Sequence, residues 1–300
     1  MDYQPVIDKL EAERKPVATS YYIGIAIIVA SAICVLSQGN LMLLGMVGVV
    51  IGVIYMAAVA MPKGKKFNEL YKSLVVEEAY KNAFSNVMYN ANQGLSESFI
   101  SGTKLMQMGN IYNSDDFVSA NYGDVHFNRA DVTIQDEYQD SDGDTHTTTY
   151  FRGRWLVIDC NKNFETSVQI VGRSFAYAKT NKKGLFNHRE DARHVVEFED
   201  TEFNKQFKTY CVSDQEAFYL VTPQMMENIR KLDAVFQARM MIGFVDNKVN
   251  IAVHNNKNAM EAGILTKVTY EKHLKPVFDE IQAVKDAIDI LKLDRRIFGV

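Results

Sequence analysis

No charged residue occurs between Val17 and Pro62, in a chain whose overall share of charged residues is an ordinary 23%. A soluble surface segment of that length would carry charge, so the gap marks a stretch that does not face water. Cysteine is scarce, with only Cys34, Cys160 and Cys211. An odd number with no CxxC pair excludes a disulfide scaffold and fits a reducing compartment. All three read as small buried apolar residues. Excess positive charge is missing too. The 33 Lys and Arg against 37 Asp and Glu leave a net charge of −4, and the part after residue 61 carries −3 of it. A mildly acidic body lacks the concentrated positive surface that nucleic acid requires, so no nucleic-acid partner is expected. The chain also has no GxxxxGK[ST], no GxSxG and no HExxH. Catalytic residues, metal ligands and cofactors therefore have no local signature.

What fills the uncharged gap is two apolar runs. Residues 18–37 read ATSYYIGIAIIVASAICVLS and residues 41–61 read LMLLGMVGVVIGVIYMAAVAM. Each spans about 30 Å as a helix, the thickness of a bilayer's hydrocarbon core. Only Gln38-Gly39-Asn40 separates them, which predicts an antiparallel transmembrane hairpin in the lipid bilayer. Arg14 and Lys15 precede the first span, Lys63, Lys65 and Lys66 follow the second, and the loop has no basic residue. The positive-inside rule then places both termini in the cytoplasm of a bacterial inner or plasma membrane. Gly48 and Gly52 form a GxxxG, with Gly45 nearly on the same face. These small residues are expected to pack against the first span through Gly24, Ala26 and Ala30, or against a second chain. No charge lines either span, so an anchor is favoured over a pathway.

The organisation expected is a cytoplasmic amphipathic segment over 1–17, the hairpin over 18–61, a helical connector over 62–116 and a cytoplasmic α+β domain over 117–300. Residues 67–92 keep a helical stripe through Leu70, Leu74, Val75, Ala79 and Val87. Ser96 opens a short helix running to about Met106. From about residue 117 the apolar period becomes two, as at Val125/Phe127 and Val132/Ile134, and strands are predicted over 147–159, 168–171, 195–198, 203–212, 240–245 and 249–253. Asp246-Asn247 is a tight turn, and Thr222-Pro223 starts a helix with Thr as its cap. The last helix, from about Thr269 to Leu293, repeats Val277, Ile281, Val284, Ile288 and Leu291 at alternating spacings of four and three. That amphipathic seam either docks on the chain's own body or self-associates as a short coil.

Three runs invite a chemical reading. In QDSDGDTHTTTY (139–150), Asp140, Asp142, Asp144 and His146 look like calcium ligands, but Gly143 and Phe151 break the EF-hand pattern. Asp142-Gly143 instead predicts a type I′ hairpin turn. His188 and His194, with Glu190 and Asp191 between them, are six apart and share no helix face, so a solvated loop is expected. Asn181-Lys182-Lys183-Gly184 is a small basic turn.

The runs YKSLVVEEAYKNAF, SGTKLMQMGNIYNSDDFVSANYGDVHF, YFRGRWLVIDCNKNF, FNKQFKTYCVSD and FYLVTPQMM follow the apolar hairpin in that order. Together they resemble the DUF3137 family of bacterial membrane proteins, over about residues 62–292. Ala120 stands where that family's pattern has glycine, while Gly123 is kept. The resemblance implies placement and architecture, and no activity.

These readings favour a membrane-anchored, cytoplasm-facing binding or scaffolding protein with a protein partner or a second copy of itself. The alternative is a membrane-tethered enzyme on lipid or envelope precursors, using His126, His194, Asp159 and Glu197 if the fold gathers them. An oligomeric channel built from the glycine-rich hairpin is the weaker alternative.

Overall fold

The computed structural model describes residues 3–37, 39–160, 163–173, 175, 193–255 and 260–291. It is an α+β protein with long apolar N-terminal helices, a large antiparallel sheet and a C-terminal helix. The chain divides into two compact units, Met1–Tyr80 with Ala259–Glu280, and Lys81–Asn258 with Ile281–Val300.

In the first unit, α1 runs unbroken over Gln4–Val35 and includes Pro16 in its interior. The sequence suggests a separate amphipathic segment over 1–17, and an interior proline removes one backbone hydrogen bond. Burial of Leu10, Val17 and Ala18 on both sides of the proline holds the helix together. A second long helical run spans Leu41–Ala83, with π-helical turns at Met56–Ala60 and Lys72–Glu77. At 1.5 Å per residue the two runs reach about 48 and about 64 Å, well beyond the roughly 30 Å of a hydrocarbon core. Both are long and apolar enough to cross a membrane. Gly39, at φ +81° and ψ −146°, takes a positive-φ backbone conformation between them that glycine adopts without strain.

Residues 260–278 are tied to the polar ends of these helices. Arg14 donates to both Glu11 carboxylate oxygens and to the Ile264 carbonyl, each at 2.8 Å, and Glu11 accepts from the Val268 amide at 2.9 Å. The Asn68 side chain accepts from the Ala262 amide, and the Tyr71 hydroxyl donates to the His273 carbonyl. Arg14 is the main reason the Glu11 carboxyl is held down to about 2, from an ordinary 4.5. A depressed carboxyl stabilises the folded state above its unfolded value and loses that contribution as pH falls. The Glu11 clamp should therefore be intact above about pH 4.5 and fade toward pH 2. Thermal unfolding of the full chain in detergent checks this. Glu11→Gln should narrow the difference in melting temperature between pH 6 and pH 3, and an unchanged difference would remove the clamp.

Among the described residues the second unit has nine strands: β1 Ser85–Asn90, β2 Ile111–Tyr122, β3 Val125–Gln139, β4 Thr145–Asp159, β5 Val168–Gly172, β6 His194–Val196, β7 Phe207–Cys211, β8 Arg239–Val245 and β9 Lys248–His254. They pair in the order β1-β2-β3-β4-β9-β8-β5-β7-β6, every pair antiparallel. Trp155, Phe151, Val132, Ile134, Met241 and Ala252 line one face and pack with Ile100 and Leu105. Ser96 caps the helix Glu97–Gly102 through the Phe99 amide, and Thr222 caps Pro223–Phe236 through the Met225 amide.

Three local expectations change. Helix ends at Ala83, and Ser85–Asn90 is an edge strand rather than a helical tail. Asn86 sits at φ +53° within a register shift, which breaks the helical run, and Met88, Tyr89 and Asn90 then pair on β2. Residues 203–206 are helical, in Thr201–Gln206, because the Asp200 side chain accepts from the Phe203 amide and nucleates a turn before β7. The hairpin at 139–150 exists, but its turn is not type I′. Five residues, Asp140–Asp144, lie between Gln139 and its partner Thr145, and only Gly143 has positive φ, at +87°. Asp140 organises the loop by accepting from the Asp142 and Asp144 amides, and it meets His146 Nε2 at 2.7 Å. Those bonds hold its carboxyl below the usual range, His146 first among them.

Candidate functional site

The site residues of the apolar hairpin and the C-terminal helix fall among the described residues. In the apolar hairpin, an added Cβ on Gly45 would meet Val35 N at 2.6 Å and Ser31 O at 2.7 Å. On Gly48 it would meet Ser31 Oγ, and on Gly52 Ile28 Cγ1 at 2.6 Å. These glycines thus face the chain's own first helix. The stripe opposite them is Ile27, Ile28, Ser31, Cys34 and Val35, while Ala26 and Ala30 point outward and are exposed. Gly24 packs on Met56. In the C-terminal helix Lys275–Leu291, the seam Val277, Ile281, Val284, Ile288 and Leu291 is buried, none of the five more than 5% exposed. Within the second unit, Tyr122 donates to Asp289 and the Lys285 ammonium lies 5.3 Å from the Phe84 ring centre. Self-association through this seam would require the helix to leave those neighbours. The basic turn 181–184 and residues 188–191 lie outside the described residues.

Sheet register gathers a polar row that the sequence does not. Residues paired across antiparallel strands share a face. Ser119 pairs with Asn128, Asn128 with Val157 and Val157 with Asn250, while Asn121 pairs with His126 and Asp159 with Lys248. On that face Ser119 Oγ lies 3.0 Å from His126 Nε2, and His126 Nδ1 lies 2.9 Å from Asp159 Oδ2. Lys248 Nζ closes the row on Asp159 Oδ1 at 2.6 Å. Burial alone would raise the Asp159 carboxyl, but Lys248 and His126 bring it below the usual range. His126 and Asp159, suspected separately in the sequence, are therefore partners. His194 is not with them and contacts Asp214 instead, and Glu197 is exposed.

The row ends at a cleft of about 280 Å³ lined by Ser98, Phe99, Gly102, Thr103, Val245, Asp246, Lys248 and Asn250. Asn250 is 1% exposed. Its Oδ1 accepts from Trp155 Nε1 at 3.0 Å, while its Nδ2 has no hydrogen-bond partner among the described residues. A buried amide donor without an acceptor costs about 1–3 kcal/mol, so it marks a place where an acceptor is missing. The spacing of Ser119, His126 and Asp159 is that of a nucleophile, base and orienting acid. Two features separate the row from a poised nucleophile. Asp159 is shared with Lys248, and the His126 and Asp159 side chains are 38% and 36% exposed on open strands rather than in a closed pocket. The arrangement can hydrogen-bond and ion-pair with something laid along it. Ser119, Lys248 and Asn250 had one sequence signal, a polar residue at a core-facing place in an apolar strand, as in Val249-Asn250-Ile251.

Residues 149–293 match the family described as "Protein of unknown function (DUF3137)". The match covers just under half of the chain. The DUF3137 match takes in most of β4, then β5 to β9 and the C-terminal helix, together with Asp159, Lys248 and Asn250. Ser119, His126 and the apolar hairpin precede it. Comparison with curated proteins finds none that matches. Among solved structures, the crystal structure of the mycobacterial trehalose monomycolate transport factor A, TtfA, is similar over 73% of this chain and 94% of that one, at 11% identity and a TM-score of 0.34. A likeness that distant carries neither fold nor function across.

Proposed function

We propose that this protein is a membrane-anchored binding module. Its hairpin crosses a bacterial plasma membrane twice, both termini lie in the cytoplasm, and its sheet presents the Lys248–Asn250 cleft to a partner that supplies a hydrogen-bond acceptor. The observation that carries the anchor is the outward face of the hairpin. Ile33, Leu36, Leu43, Leu44, Val47, Val50, Ile51, Val53 and Ile54 are each more than half exposed, a continuous apolar surface that water would penalise and lipid would not. The basic residues Arg14, Lys15, Lys63, Lys65 and Lys66 flank it at one end and support the orientation. The observation that carries binding is the donor at Asn250 Nδ2 beside Lys248.

Reporter fusions in cells test the anchor, and labelling of the solubilised protein tests the activity class. A cytoplasm-active reporter fused after Val300 should be active, and a reporter active only outside the cytoplasm should be silent. The opposite pattern would overturn the orientation. Detergent-solubilised protein treated with a fluorophosphonate should stay unlabelled. Labelling that Ser119→Ala abolishes would replace the binding reading with a serine hydrolase.

A further inference from the structure

A second cluster lies at the other end of the sheet. His194 on β6 and Cys211 on β7 are direct cross-strand partners. Three residues past Cys211, Asp214 opens the helix Asp214–Leu220, behind the cap Ser213. The strand register and this short turn thus place one nitrogen, one sulfur and one oxygen donor together. His194 Nε2 lies 2.5 Å from Asp214 Oδ1, and Cys211 Sγ lies 3.8 Å from the same oxygen. All three donor atoms fall within 4.8 Å of one another.

We propose that His194, Cys211 and Asp214 bind a divalent zinc-like cation. A tetrahedral ion with Zn–S near about 2.3 Å and Zn–N and Zn–O near about 2.0–2.1 Å holds its ligand atoms roughly 3.3–3.6 Å apart. The Cys211–Asp214 spacing already suits that geometry. The His194–Asp214 spacing needs to open by under about 1 Å, which two side chains 51% and 60% exposed can do. A mixed thiolate, imidazole and carboxylate set selects zinc over magnesium or calcium, which take oxygen alone. Binding converts the Cys211 thiol to thiolate and releases its proton to solvent. Three protein ligands leave the fourth position to water or to an incoming group, on the side where His194 and Asp214 are exposed. A cysteine nucleophile fits this cluster poorly. Cys211 is fully buried, burial foremost and Asp214 next push its thiol up to about 11, and His194 is bonded to Asp214 rather than to sulfur.

The test uses the full-length protein in detergent, stripped of metal by a chelator and titrated with Co²⁺. The expected result is intense visible absorption of a tetrahedral ion, with a near-ultraviolet thiolate-to-cobalt charge-transfer band that Zn²⁺ displaces. Cys211→Ser should abolish that band. His194→Ala, at an exposed position that leaves the fold alone, should weaken cobalt binding at least as much as the roughly 10–100-fold typical of losing a group that merely orients a ligand. Far-ultraviolet circular dichroism confirms that both variants fold. The weak pink spectrum of aqueous Co²⁺ would overturn the site. So would a charge-transfer band that survives Cys211→Ser, which would assign it to Cys34 or Cys160.

Discussion

Gly45→Leu is expected to destroy the packed hairpin, with protein lost to aggregation or a broad, early-unfolding species in detergent. Any Cβ at Gly45 falls 2.6 Å from Val35 N, 2.7 Å from Ser31 O and 2.9 Å from Cys34 C. All three are backbone atoms of α1, so no rotamer change relieves the clash and the helices must separate. Overpacking of a tight interface costs typically about 1–3 kcal/mol and more when backbone has to move. The two neighbouring glycines provide the scale. At Gly48 the obstacle is the Ser31 hydroxyl, which can rotate, and at Gly52 it is Ile28 Cγ1, the side of a flexible chain. Gly48→Ala and Gly52→Ala should therefore be milder than Gly45→Ala, and Gly45→Leu the most severe. Thermal stability and size-exclusion profiles of the four purified variants give the ranking. If Gly45→Leu behaved like the parent protein, the close approach at Val35 would not exist.

Arg129→Met is expected to cost the sheet domain about 3–5 kcal/mol, the usual result of removing one partner of a buried ionic group. Arg129 is 1% exposed and Asp116 is fully buried. Arg129 Nη2 donates to Asp131 Oδ1 at 2.8 Å, and Nη1 donates to the Asp116 carbonyl at 3.2 Å. Asp116 takes φ +53° at the register shift between Asp115 and Val118, and its carboxylate accepts from the Tyr89 hydroxyl at 2.5 Å. Asp115, Asp116 and Asp131 bring their carboxylates within 4.8 Å of one another. The guanidinium pairs with one of these carboxylates, Asp131, and with the Asp116 backbone, and so supports the bulge. Arg129→Lys keeps the charge but not the two-pronged geometry, and should lose part of the same stability. Denaturant unfolding of the full chain, followed by the fluorescence of its single tryptophan, Trp155, measures both. Equal midpoints for Arg129→Met and the parent would remove the ionic support.

Features with a local cause were legible in the sequence. The caps at Ser96 and Thr222, the Asp246-Asn247 turn and the hairpin around Gly143 each depend on a few adjacent residues, and each is in place. The misreadings came where a local signal was outweighed. Ser85–Asn90 continues a helical stripe, yet becomes a strand because β2 offers it a partner. The type I′ turn failed because the Asp140 side chain, binding two amides of its own loop, favours a longer connection than Asp-Gly alone implies. The polar row was illegible for another reason. Ser119, His126, Asp159 and Lys248 sit on β2, β3, β4 and β9, and nothing in residue order says that β9 lies beside β4. The same holds for His194 and Cys211, which become neighbours only when β6 pairs with β7.

By itself, then, the sequence determined the α+β class, the two long apolar helices and the strand-bearing body, because burial pattern and hydropathy act through residues near one another in the chain. Tertiary structure decided which glycine meets backbone, which face carries the polar row and which donors converge at Cys211. The first depends on how two helices pack side by side; the other two depend on strand order and register, where a slip of one residue would turn the side chains of the slipped strand to the opposite face.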